Sequence, residues 1–109
     1  MLKIDRSTGT PAEGNVTVGP VLETGEVADA VIAAIRGLNP NVVVQDRGSY
    51  LRVLVPGRCV VTSHAIAAAL GRPFCLPGDL ELIMPSFKGR FEVSDERATW
   101  LSQDGAESG

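Results

Sequence analysis

This 109-residue chain has one histidine, two cysteines, one tryptophan and one tyrosine. The shortage of histidine excludes most. With His64 alone, any imidazole-based catalyst or metal cluster must recruit cysteine or carboxylate. The spacings that would do so are missing: there is no Cys-x-x-Cys, no His-x-x-x-His and no Glu-x-x-His. His64 stands beside Ser63 at an expected helix start, which predicts an exposed or capping role. Cys59 and Cys75 allow one bridge at most. Met1 to Arg6 lacks the apolar core of a secretory leader, so the cytoplasm and free thiols are expected. Cys59 precedes Val60 and Val61 and reads as a small buried hydrophobe.

Positive charge is equally scarce. Ten Lys and Arg against thirteen Asp and Glu leave a net charge of −3. No basic face is available for nucleic acid, and no basic amphipathic helix for an anionic membrane. The longest apolar stretch, Ala65 to Leu70, is far too short to span a bilayer. Gly37, Gly48, Gly57, Gly71 and Gly89 are scattered at element ends rather than gathered into a phosphate cradle. Ser63 and Ser86 lack the context of an activated nucleophile. The carboxylate pairs Glu23/Glu26, Asp79/Glu81 and Asp95/Glu96 fall in turns or on solvent-facing positions, where acid–base work would need a cleft that separates their pKa values. A self-contained enzyme is not expected.

What is present is the pattern of one globular domain. A 44% hydrophobic share and this length suffice for a single core. Residues 1–14 and 103–109 are polar and aperiodic and read as flexible tails around a domain at 15–102. Val16-Thr17-Val18 alternates before Gly19-Pro20, which predicts an edge strand or a strand with a break. Val27, Val31, Ala34, Ile35 and Leu38 form one stripe of a helix over Glu26–Arg36, ended by Gly37 and Asn39-Pro40. Val42–Val44, Tyr50–Val55 and Cys59–Val61 read as strands. Leu51, Val53 and Val55 share one face, and Arg52 points the other way. Thr62 or Ser63 caps a helix over Ala65–Leu70, which Gly71 stops. Leu80–Met84, Arg90–Val93 and Ala98–Leu101 read as further strands, the last two joined by a hairpin loop at Ser94–Arg97. The expected fold is α+β, a compact domain of two short β-α-β-type halves with mainly antiparallel sheet and two main helices.

Two groups of residues are candidates for contact with a partner. Arg47, Tyr50 and Arg52 surround a predicted hairpin, where arginine forks and an aromatic ring suit an interface but also suit local pairing, for instance of Arg47 with Asp46. Arg72 has the same two readings, the local one being the carbonyls of the preceding helix end. Pro85-Ser86-Phe87-Lys88 places a phenylalanine at a strand end, either as a core anchor or as an exposed contact.

Taken together, Val18-Gly19-Pro20, Val44-Gln45-Asp46-Arg47 with Tyr50 and Arg52, Leu70-Gly71-Arg72-Pro73-Phe74, and Ser86-Phe87 with Gly89 resemble the effector, or coupling, proteins of soluble bacterial diiron monooxygenases. That family includes the regulatory component B of methane monooxygenase and the small effectors of phenol, toluene and alkene monooxygenases. The short tails and the Leu70–Phe74 form look closer to the toluene, phenol and alkene type. The resemblance covers about Val18 to Trp100. It implies a compact α+β domain with no catalytic role and no cofactor of its own, and a diiron hydroxylase as partner. Docking would tune oxygen activation, substrate access and electron coupling, and competition with the electron-transfer component is a further implication. By position, Pro85, Ser86, Phe87 and Lys88 correspond to the hydroxylase-facing loop, with Tyr50, Arg47 and Arg52 as secondary contacts. The methane-type loop carries a small hydroxyl residue where Phe87 stands.

Overall fold

The computed structural model describes residues 16–102. The tails expected at 1–14 and 103–109 lie outside the described residues. Within them the chain folds as two antiparallel sheets and three helices around one core. β1 (Thr17–Glu23), α1 (Glu26–Leu38), β2 (Val43–Asp46) and β3 (Tyr50–Pro56) come first. β4 (Arg58–Thr62), α2 (Ser63–Leu70), α3 (Gly78–Glu81), β5 (Ser86–Lys88), β6 (Arg90–Val93) and β7 (Arg97–Leu101) follow. The first sheet has the order β2-β3-β1-β5 and the second β4-β7-β6. The two halves therefore interlock, because β5 belongs to the second half in sequence and to the first sheet in space.

Each main element forms for a legible reason. α1 buries Ala28, Ala30, Val31, Ala34 and Ile35, the stripe that its 3.6-residue period demands, and keeps Glu26 and Asp29 in its first turn. β3 alternates with Leu51, Val53 and Val55 buried and Tyr50, Arg52 and Leu54 outward. Thr62 caps α2 by accepting the Ala65 N–H at 3.1 Å, and Gly71 closes it in the left-handed region at φ 84°. Cys59 is buried, and burial pushes its thiol up to about 12, so it is an inert thiol at neutral pH. His64 is exposed, as expected.

Four expectations need correction. Leu80–Met84 is not a strand. The carboxylate of Asp79 accepts the Cys75 N–H at 2.8 Å, and the Asp79 N–H returns to the Cys75 carbonyl at 2.9 Å, winding this segment into α3. Leu80 is fully buried while Leu82 is 77% exposed, which rules out a shared strand face. The strand lies further on, at Ser86–Lys88, so Pro85–Lys88 is an edge strand and its approach rather than a strand-end loop. α1 runs through Gly37 and ends at Leu38. β1 is not an edge strand. It lies between β3 and β5, but its pairing with β3 does break at Gly19-Pro20, between the Val18–Val55 and Val21–Arg52 pairs. Proline has no N–H to give the ladder. A Cβ on Gly19 (φ 149°) would lie 2.2 Å from the Val53 carbonyl oxygen.

Asn39 joins the halves. Its amide nitrogen donates to the Ile35 carbonyl at 2.8 Å and to the Val60 carbonyl at 2.7 Å. Its amide oxygen accepts the Val60 N–H at 2.9 Å. One side chain thus closes the end of α1 and satisfies the outer edge of β4, which has no neighbouring strand on that side. Asn39→Ala removes all three bonds and is expected to cost about 2 kcal/mol, read from urea denaturation. Asn39→Asp keeps only the acceptor and should be no better. Wild-type stability in both variants would show that water replaces the amide without loss.

Candidate functional site

The outer face of the first sheet, away from α1, forms an open groove of about 900 Å3. Strand register decides which side chains reach it. On β1, Val18, Pro20 and Leu22 are buried, so Thr17, Gly19, Val21 and Glu23 face outward. Val21 stands opposite Arg52, and Glu23 opposite Tyr50. On the other side, Gly19 pairs with Lys88 and Val21 with Ser86. Tyr50, Arg52, Pro85, Ser86, Phe87 and Lys88 therefore line one groove with Val21 and Glu23. The sequence-predicted residues at 50–52 and 85–88, more than thirty positions apart, are brought together by β1.

Phe87 answers to both of its readings. It pairs with Pro20, so its side chain leaves the sheet on the buried side. Because β5 is an edge strand, the ring is still 44% exposed. Its centroid lies 5.2 Å from that of Phe91, and Phe91 lies 5.2 Å from Trp100, which is fully buried. The ring is thus the exposed end of an aromatic row rooted in the core. Among the described residues the Trp100 indole N–H has no hydrogen-bond partner, so apolar packing positions the ring. On the opposite face, Lys88 Nζ donates to Thr17 Oγ1 at 3.2 Å.

Arg47 lies beside the groove rather than in it. The β2–β3 turn holds it: Asp46 accepts the Gly48 N–H at 2.8 Å, and the Arg47 N–H reaches the Tyr50 carbonyl at 2.9 Å. Asp46 is thereby spent on the turn, and Arg47 donates instead to Gln45 Oε1 at 3.1 Å. Arg72 stands apart from this face. It bridges to Glu26 at 3.1 Å, tying the end of α2 to the start of α1 rather than capping its own helix. Sequence reasoning passed over Val21, Glu23 and Leu54 as site residues. The two-residue alternation of β1 and β3 carries that signal, once both are known to be neighbours.

A scan of family models places residues 16–101 in the MmoB/DmpM family. The chain belongs to this family. Among curated relatives, it is 45% identical over 85 residues to the effector subunit of the alkene monooxygenase system of Xanthobacter autotrophicus (strain ATCC BAA-1158 / Py2), covering 76% of this chain and 83% of that protein. Among solved structures, a phenol hydroxylase–regulatory protein complex contains a chain that superposes with a TM-score of 0.69 at 16% identity, covering 78% of this chain and 95% of that one. The soluble methane monooxygenase regulatory protein B superposes at 0.61 with 25% identity, covering 89% of this chain and 70% of that one. Both superpositions show the same α+β fold.

One residue holds the groove's edge strand against the rest. Gly89 joins β5 to β6 at φ 105°, and a Cβ there would lie 2.7 Å from both the Leu101 carbonyl oxygen and Val18 Cγ1. Gly89→Ala combines backbone strain with a clash against backbone, and should cost about 3 kcal/mol or more in urea denaturation. A variant as stable as wild type would show that the crossover can shift freely.

Proposed function

We propose that this chain is the effector subunit of a multicomponent diiron monooxygenase, docking on the hydroxylase component through the outer face of its first sheet. The observation that carries this is the groove itself. It gathers a tyrosine, cations and the backbone of an edge strand on one face, with the half-exposed Phe87 ring on the other side of that edge strand, in a chain whose family includes monooxygenase effectors. Tyrosine and arginine are favoured interface anchors, and a half-exposed phenylalanine offers apolar surface. Pro85, Ser86, Phe87 and Lys88 make the leading contacts on this reading, with Tyr50, Arg47 and Arg52 beside them.

The mechanism is thermodynamic. The effector must bind one hydroxylase conformation more tightly than another, so that docking shifts the population towards it. Oxygen activation, substrate access and electron coupling then change at a centre the effector need not touch. An electron-transfer component that uses the same hydroxylase surface would compete with it. The cytoplasm, where NADH is supplied, is the setting this reading implies. An alternative is a small α+β protein- or ligand-binding module unrelated to oxygenases; as a ligand site, the groove is open along the sheet and would leave one side of a bound molecule in water. Ligand sites usually bury most of their ligand.

Titrating the chain into cognate hydroxylase and reductase should raise product formed per NADH consumed. Unchanged turnover and coupling at saturating chain would overturn the proposal. Phe87→Ala should weaken docking by about tenfold, measured by hydroxylase titration. The loss of its stacking on Phe91 should lower stability by only about 1 kcal/mol. A loss of several kcal/mol would make the ring a core residue first.

A further inference from the structure

Gln45, Arg47 and Arg52 form a bracket in which two guanidinium groups share one neutral acceptor. Arg47 Nη2 donates to Gln45 Oε1 at 3.1 Å, and Arg52 Nη1 reaches the same atom at 3.5 Å. Because both contacts need an acceptor, the amide oxygen and not the nitrogen must face the arginines. The arrangement follows from register rather than accident. Gln45 and Arg52 are direct cross-strand partners, and Arg47 follows Gln45 by two residues. The turn is pinned from within by Asp46, and by Thr24 just beyond the end of β1. The Thr24 hydroxyl donates to the Gly48 carbonyl at 2.8 Å, and its N–H to the Ser49 carbonyl at 3.1 Å.

What the bracket lacks is a counter-charge. The ion pairs among the described residues are Arg72–Glu26 and Arg90–Glu92, and neither involves Arg47 or Arg52. Asp46 is committed to the Gly48 N–H, and Glu23, on the same sheet face, pairs across from Tyr50 without an ion pair to either guanidinium. Among the described residues, two guanidinium groups thus stand side by side without an ion-pair partner at the margin of the groove. A neutral amide keeps them apart while leaving most of their donors unused.

The geometry points to a carboxylate-binding site: Arg47 and Arg52, spaced by Gln45, receive an aspartate or glutamate side chain of the hydroxylase. Planar forks suit a carboxylate in bidentate geometry, and displacing water around a charge-assisted pair makes it stronger than a neutral contact. The inference rests on the docking reading, and adds which chemical group the partner presents at this point.

Gln45→Glu tests it by supplying that carboxylate in place. The substitution is nearly isosteric, and its own negative charge should occupy both guanidiniums. Stability should be unchanged or higher, and hydroxylase affinity should fall by about tenfold or more. Gln45→Leu removes the amide but leaves both cations available, so its affinity should stay within about threefold of wild type. Raising ionic strength should weaken wild-type docking more than docking of Gln45→Glu. The site is overturned if Gln45→Glu docks like wild type, or if Gln45→Leu loses as much as Gln45→Glu. In either case wild-type docking and coupling stand, and only this inference falls. If the wild-type chain itself fails to bind hydroxylase, the docking reading falls and this site with it.

Discussion

The chain passes from the first sheet to the second twice, each time through a single glycine. Gly57 carries β3 into β4 and Gly89 carries β5 into β6, both with positive φ. A one-residue crossing leaves no slack, so the two sheets are held in a fixed relation wherever the strands themselves are fixed. The crossings differ in their surroundings. Space is open around Gly57, which needs glycine only for its backbone angle, whereas Gly89 is wedged between Val18 and the Leu101 carbonyl. That wedge presses β5 against β1 and brings Phe87 over Phe91. A residue with a side chain there would have to push apart the strand that carries the groove and the strand that carries Trp100.

From this constraint follows the division of labour between the faces of the first sheet. The inner face is apolar, and with α1, α2 and the inner face of the second sheet it makes the core. Among the described residues the outer face has no helix over it, and it mixes Val21 and Tyr50 with Glu23, Arg52 and Lys88. Antiparallel sheets commonly leave one face in water, so exposure alone says little. More telling is how the polar groups are engaged. Glu26 and Asp79, members of the acidic pairs that might have served catalysis, are tied to Arg72 and to the Cys75 N–H. Cys59 is buried with a raised pKa and His64 is exposed on a helix start. Arg47 and Arg52, in contrast, have only the neutral Gln45 as side-chain partner and lie at the groove.

Local signals in the sequence were sufficient wherever an element is held by its own neighbours. α1, the Thr62 cap, the Gly71 stop and the alternation of β3 are of that kind, and they were legible to within one or two residues. The segment at Leu80–Met84 was not. Leu80, Leu82 and Met84 alternate with Glu81 as strand residues do, but a carboxylate one position earlier, at Asp79, winds the chain into a turn that outweighs the pattern. β1 was legible only in part: the break was readable, its place inside the sheet was not. Gly19-Pro20 marks a break, and its true cause is the close approach of Val53, more than thirty residues away. The same distance hid the site: Tyr50 and Phe87 were separately visible, while the strand that makes them neighbours looked like an edge.

On the proposed docking reading, Phe87 shows how an edge strand can serve as a contact surface. A phenylalanine presents very roughly 200 Å2, so a ring still 44% exposed has on the order of 90 Å2 left to bury. At about 25 cal/mol per Å2 that is roughly 2 kcal/mol, about thirtyfold in affinity before costs. The usual cost is ordering the side chain, and here Phe91 has already met part of it by stacking against the ring in the free chain. A fully exposed phenylalanine would offer more area but would first have to be immobilised, and a fully buried one would offer none. The half-buried position, set by the pairing of Phe87 with Pro20 at the sheet's edge, lies between those limits. Arg52 and Arg47 lie on the far side of the same sheet, on β3 and at its turn with β2, so on the proposed docking reading apolar burial at the sheet's edge and charge recognition come from different strands of one sheet.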